Sequence, residues 1–122
     1  MSLTAIDHVQ LAAPAGCEEA ARAFFGALLG LRELDKPPAL AARGGVWFAV
    51  GSEQQLHIGV VSEPAPAPAR KAHPAFRASD LDALAQRLTG AGHPVRWDDE
   101  LPGVRRFYVD DPWGNRLELL AV

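Results

Sequence analysis

Leu117-Glu118-Leu119-Leu120-Ala121-Val122 repeats the character of a hexamer met earlier in the chain, Leu56-His57-Ile58-Gly59-Val60-Val61. Each is a short apolar run with one metal-binding residue type at its second position. Runs of this length, rich in Leu, Ile and Val and preceded by turn residues, read as strands. Gly51-Ser52-Glu53 precedes the earlier one and Asp111-Pro112-Trp113-Gly114-Asn115 the later one. Outward from each hexamer the same signals recur in the same order. Strand Gln55–Val61 follows a strand Val46–Val50 opened by Gly44-Gly45, and strand Arg116–Val122 follows a strand Arg105–Val109. A short strand precedes each, at Leu31–Leu34 and Pro94–Trp97. Helices precede these. One runs from about Cys17 to Leu29 with Ala21, Phe24, Phe25, Leu28 and Leu29 as its apolar stripe, acidic Glu18 and Glu19 in its first turn, and Gly30 to end it left-handed. The other is capped by Ser79 or Asp80, carries Leu81, Leu84, Ala85 and Leu88, and ends at Gly90 and Gly92.

First strands complete the match. Ile6-Asp7-His8-Val9-Gln10-Leu11-Ala12 has period two, with His8 and Gln10 on one face and Val9 and Leu11 on the other; His73-Pro74-Ala75-Phe76-Arg77-Ala78 stands in the corresponding place. The alternate prolines Pro64, Pro66 and Pro68 suit neither a helix interior nor a central strand, and predict a stiff connector over 62–71. The expected fold is α+β. Two βαβββ modules, about 4–61 and 72–122, form one domain spanning 1–122 and curl into a partly open barrel of mixed sheet around a metal-binding cleft.

The 122 residues suit one domain, with 48% apolar residues for a core. A formal charge of −3 argues against a nucleic-acid partner. No apolar stretch approaches the ~20 residues of a membrane span, and no basic segment followed by an apolar run suggests a secretion signal. Cys17 is the single cysteine, which excludes an intramolecular disulfide and a thiolate zinc cage. A cytoplasmic setting is expected. Cys17 itself is read as structural, its thiol pKa lowered somewhat by the helix start.

The duplication singles out four residues. His8 and His73 stand near the start of the two first strands, and His57 and Glu118 stand second in the two hexamers. A lone strand histidine is more often packed than a ligand, and Glu118 alone would point to water. Symmetric placement makes them a candidate set. Paired units would bring His8 toward His73 and His57 toward Glu118. Imidazole with carboxylate suits zinc, nickel, cobalt, manganese or ferrous iron. The spacings, 57 − 8 = 49 and 118 − 73 = 45, differ by four, a gap expected in hairpin lengths. Tyr108 can line the same cavity across a hairpin from Glu118. Arg43 beside Gly44-Gly45 is a candidate for an anionic substrate, and Trp47, Phe48 and Phe107 for an apolar cleft. Arg105 and Arg106 must face opposite sides of a strand. His93, in a Gly-rich turn, is expected to be exposed, and Trp113 to be a turn residue.

Ile6-Asp7-His8-Val9, Phe24-Phe25-Gly26-Ala27-Leu28-Leu29-Gly30-Leu31, His73-Pro74-Ala75-Phe76 and the run Phe107-Tyr108-Val109-Asp110-Asp111-Pro112-Trp113-Gly114-Asn115-Arg116-Leu117-Glu118 together resemble the vicinal oxygen chelate superfamily of glyoxalases, fosfomycin-modifying thiol transferases, extradiol dioxygenases and bleomycin-binding proteins. The resemblance implies paired βαβββ modules and, commonly, a homodimer. It implies that His8, His73 and Glu118 stand where the fosfomycin-modifying relatives carry two histidines and a glutamate. Tyr108 matches a pocket tyrosine of those relatives. His57 stands where glyoxalase I has a further ligand, normally glutamate. The implied activity is that of a metal-dependent lyase, isomerase or thiol transferase acting on a small substrate with vicinal oxygens. The ion would act as a Lewis acid on a developing enolate or alkoxide, with Glu118 as ligand and proton acceptor and Tyr108 orienting the substrate. The alternative is a non-catalytic drug-binding protein of the bleomycin-resistance type.

Overall fold

A computed structural model describes residues 2–62 and 71–122. The expected proline connector, with Pro64, Pro66 and Pro68, lies outside the described residues. The chain divides into two compact units, Met1–Pro66 and Ala67–Val122.

In the first unit, β1 (His8–Pro14) leads into α1 (Glu18–Ala21), a π-helical segment (Arg22–Leu28), β2 (Arg32–Leu34), α2 (Pro38–Ala41), β3 (Val46–Val50) and β4 (Gln54–Val61). In the second, β5 (Ala75–Ala78) is followed by α3 (Leu81–Gly90), β6 (Arg96–Asp98), β7 (Arg106–Asp110) and β8 (Arg116–Ala121). Each unit holds an open four-stranded mixed sheet, in the orders β1-β4-β3-β2 and β5-β8-β7-β6. The hexamer strand is central in both, parallel to the first strand and antiparallel to the third.

The register supports the duplication at single-residue level. Trp47 pairs with His57, and Tyr108 with Glu118. Both pairs are ten residues apart (57 − 47 and 118 − 108), so the last hairpins are equal in length. The four extra residues of the first unit therefore lie upstream, between His8 and Trp47, and not in that hairpin.

The helix expected over 17–29 is divided. The amide of Ala21 bonds to the Cys17 carbonyl as in an α-helix, whereas Leu29 reaches back five residues to Phe24. A π segment turns less per residue, which keeps successive side chains closer on one face. Here that face holds Phe24 and Phe25, 1% and 0% exposed, packed edge to face; Phe25 also touches Phe48. Leu28 and Leu29, expected in the stripe, are only half-buried. Helix α2 is a single turn begun by Pro38, a residue preorganised for a first helical turn, and is too short to show periodicity. Gly30 is left-handed as expected. At Gly45 (φ +85°) the requirement for glycine is absolute, because a Cβ would stand 2.2 Å from the Ile58 carbonyl oxygen.

In the second unit, the Asp80 side chain accepts from the Ala83 amide and caps α3, whose Leu81, Leu84, Ala85 and Leu88 are buried as the stripe requires. Phe107, Val109, Leu117 and Leu119 supply the core of the sheet. The turn before β8 is held by Asp111, whose Oδ1 accepts from the Trp113 and Asn115 amides while Oδ2 accepts from Asn115 Nδ2. Trp113 is thus a turn residue, as expected. His93 is partly buried rather than exposed, because its amide closes the end of α3 on the Leu88 carbonyl. Among the described residues no helix is long and apolar enough to cross a membrane.

Candidate functional site

Strand alternation places Leu56 and Ile58 in the core of the first unit and turns His57 to the opposite face of β4. There it lies between two flat partners. The Trp47 ring is stacked on it at 4.1 Å between centroids (5° between planes), and the His8 ring at 4.1 Å (12°). Its Nε2 is 2.8 Å from Gln55 Oε1. Burial pushes the His57 pKa down, and the charge of neighbouring His8 adds to this. The imidazole is therefore neutral at pH 7, which is the form that ligates metals. His8 is more open, with its Nδ1 2.9 Å from Asp7 Oδ2.

The second unit builds its couple differently. Pro74 restricts His73 to an extended backbone, which continues the line of β5, and the Glu118 amide bonds to the Pro74 carbonyl. His73 Nε2 lies 2.9 Å from Glu118 Oε1, and His73 Nδ1 lies 2.6 Å from the Lys71 carbonyl oxygen. Arg106 Nη1 donates to the other Glu118 oxygen at 3.2 Å, and Arg106 is itself held by Asp98 through two bonds. Glu118 is 7% exposed. Burial works to raise its pKa, but the bonds from His73 and Arg106 together outweigh this and hold it below the usual carboxylate range. The Tyr108 ring meets His73 edge to face at 5.5 Å, and the guanidinium groups of Arg106 and Arg116 lie over it.

The four candidate ligands thus stand as two couples, His8 with His57 and His73 with Glu118, one within each unit. Within the described residues of either unit, no three His, Cys, Asp or Glu side chains converge as a ready metal cage. The donors nonetheless fit a divalent ion. The Nδ1 of His73 faces a backbone carbonyl, the arrangement that fixes the ring of a metal-binding histidine and directs Nε2 outward. The Nε2 so directed meets the buried Glu118 carboxylate, an imidazole and carboxylate pair of the kind that binds divalent ions.

Phe107, expected on a substrate cleft, is a core residue: it is 0% exposed, with Trp97 packed edge to face against it at 5.2 Å. Phe48 is likewise fully buried. Trp47 and Arg43 both line a hollow of about 240 Å³ in the first unit, together with Gln10 and Lys36. Burial raises the Cys17 thiol pKa, and the Glu18 carboxylate raises it further, which overturns the expected lowering. Arg105 and Arg106 do face opposite sides, with Arg105 on Asp82 of α3 and Arg106 on Glu118. The role of Arg106 was nonetheless missed. It was visible in the i, i+2 relation to Tyr108, which puts both on the Glu118 face. Lys36 lies in an irregular segment and gave no signal.

Two open four-stranded sheets of one βαβββ order, each presenting polar residues from its central strand, define a class of duplicated-module α+β folds. The chain belongs to the Glyoxalase/Bleomycin resistance protein/Dioxygenase superfamily, whose family model matches residues 5–119. It is 49% identical to a protein of Bacillus anthracis described as a member of the glyoxalase family (TM-score 0.90, covering 99% of this chain and 97% of that one). It is 25% identical to the lactoylglutathione lyase of Agrobacterium tumefaciens (TM-score 0.72, 99% and 96%). An antibiotic-binding protein of a Streptomyces strain shares the fold at 23% identity (TM-score 0.71, 99% and 98%). No curated protein matches.

Proposed function

We propose that the chain is a metal-dependent enzyme of the glyoxalase and fosfomycin-resistance type, with His8, His57, His73 and Glu118 as the donors to one divalent ion, within one chain or across two copies in a homodimer. The observation that carries this reading is His73, with oxygens 2.6 and 2.9 Å from its two nitrogens and a buried carboxylate as one of them. Imidazole and carboxylate suit zinc, nickel, cobalt, manganese or iron. When bound, the ion would supply Lewis-acid polarisation of two neighbouring oxygens on a small substrate, stabilising an enolate or alkoxide.

The chain's own residues prepare that chemistry. Arg106 and His73 keep Glu118 ionised, so its oxygens can ligate or receive a proton. Asp98 prevents Arg106 from swinging away. Tyr108 projects from the same face beside His73 and would orient the substrate. The setting proposed is the cytoplasm, and the partner a small molecule rather than nucleic acid or membrane.

Elemental analysis after mild dialysis tests the reading. About one divalent ion per chain is expected, lost in His8→Ala and in Glu118→Ala. Wild-type protein free of metal that still binds an aromatic drug tightly would instead support the second reading, a binding module of the bleomycin-resistance type. That alternative is favoured by the hollow beside Trp47.

A further inference from the structure

We propose that the two histidines of the first unit divide the work of ligation: His57 is a stationary donor that binds through Nδ1, and His8 is a mobile donor that must rotate off the His57 ring before both can reach one ion. This division rests on the metal-site reading above. Trp47 and Gln55 are the positioning residues that keep His57 in place.

The stack requires the movement. An imidazole binds a metal along the lone pair of a ring nitrogen, in the plane of the ring, at about 2.0–2.1 Å. An ion held by two imidazoles therefore lies near both ring planes. The His8 and His57 rings are stacked with centroids 4.1 Å apart and planes inclined by only 12°. Packed carbon atoms stay about 3.5 Å apart, and at that separation planes so inclined meet on the order of 15 Å away. No ion can stand at bonding distance in both planes while the stack persists. Both histidines belong to one unit, so this holds whether the other donors come from the same chain or from a second copy.

The surroundings decide which ring moves. His57 lies in β4, paired on one side with Gln10 of β1 and on the other with Trp47 of β3. Its second face is covered by the Trp47 ring at 4.1 Å, 5° from parallel. Its edge is held as well. The Gln55 amide oxygen can only accept, so His57 Nε2, 2.8 Å away, donates to it. Nδ1 is left as the nitrogen with a lone pair to offer, and it has no hydrogen-bond partner among the described residues. His8, by contrast, opens β1, an edge strand of its sheet, and its side chain is 42% exposed. Beyond the stack it touches only the Asp7 carboxylate among the described residues, and that side chain is 84% exposed. A ring so placed can turn without disturbing the core. The contact it gives up is worth at most about tenfold in an equilibrium, which coordination of a divalent ion exceeds.

The test uses full-length, isotope-labelled protein, dialysed against chelator and then titrated with zinc. Ring signals are assigned through His8→Asn and His57→Asn. Long-range proton–nitrogen spectra report which ring nitrogen carries a proton or a metal, and nuclear Overhauser contacts report which rings touch. In chelator, contacts should join His8 to His57 and His57 to Trp47, with His57 protonated at Nε2. At one zinc per chain the His8–His57 contact should vanish and the His57–Trp47 contact persist. The zinc-induced shifts should fall on His57 Nδ1 and on one nitrogen of His8. Zinc affinity should drop about threefold to tenfold in Trp47→Leu and return toward wild type in Trp47→Phe. Four results would overturn the division while leaving a metal site in place: a His8–His57 contact that is absent in chelator or survives saturation, an unshifted ring of either histidine, zinc on His57 Nε2, or equal affinity in wild type and Trp47→Leu. No zinc uptake by wild type would overturn the enzymatic reading itself, and the rotation with it.

Discussion

Burial works against the ionisation of Glu118, and hydrogen bonds offset it, an imidazole taking one oxygen and a guanidinium the other. Its counterpart His57 is kept neutral by burial and by a neighbouring imidazole. One unit thus carries a neutral group and the other an anionic one at matching positions. Residue type and symmetric placement made these four legible in the sequence; the second contacts, Gln55 and Arg106, depend on register and became clear only in the structure. Phe107 shows the converse error, because aromatic character alone does not separate a cleft from a core. Phe107→Ala should destabilise the fold by about 3–5 kcal/mol, measured as a shifted denaturation midpoint at unchanged slope. Glu18 yields a pH prediction. The Gly45 amide is the main cause of its lowered pKa. A depressed folded pKa gives stability that is complete above the unfolded value, about 4.3, and is lost as pH falls through the folded one. Glu18→Gln retains an acceptor for the Gly45 amide but not the charge. It should melt below wild type at pH 7, and the difference should close as pH drops below about 4.

At the scale of elements, strands were read better than helices. The two hexamers were recognisable because period two and flanking turn residues act locally, and the structure keeps both as central strands. The π segment was not readable, since α-helical spacing and a widened turn share most of their apolar positions; the tertiary demand to bury both Phe24 and Phe25 decides between them. Strand ends shifted by one or two residues, as at β1, where pairing with β4 starts at His8 and continues to Pro14. Two elements can be tested directly. Asp111→Ala removes the acceptor of two backbone amides in a buried turn, and should cost about 1–3 kcal/mol. Asp80→Ala removes the cap of α3 and should cost about 0.5–2 kcal/mol. Thermal melts of both variants, with circular dichroism to verify the fold, provide the measurement.

For the whole molecule, the decisive regularity is duplication. Equivalent register positions carry His8 and His73, Trp47 and Tyr108, and His57 and Glu118. The two copies have diverged in chemistry while keeping one topology, which is how a repeated unit with a single strand order can present unlike donors. Fold and family follow from that repetition and from the match over residues 5–119. Function depends on whether the divergent positions serve one ion. Cobalt(II) titration of dialysed protein, followed by visible absorption, tests this most directly, because the ligand-field bands report donors as well as stoichiometry. The account predicts saturation at about one equivalent per chain, with bands weakened or shifted in His57→Ala, His73→Ala and Glu118→Ala alike. A spectrum indistinguishable from free aqueous cobalt, or one unchanged by all three substitutions, would contradict it.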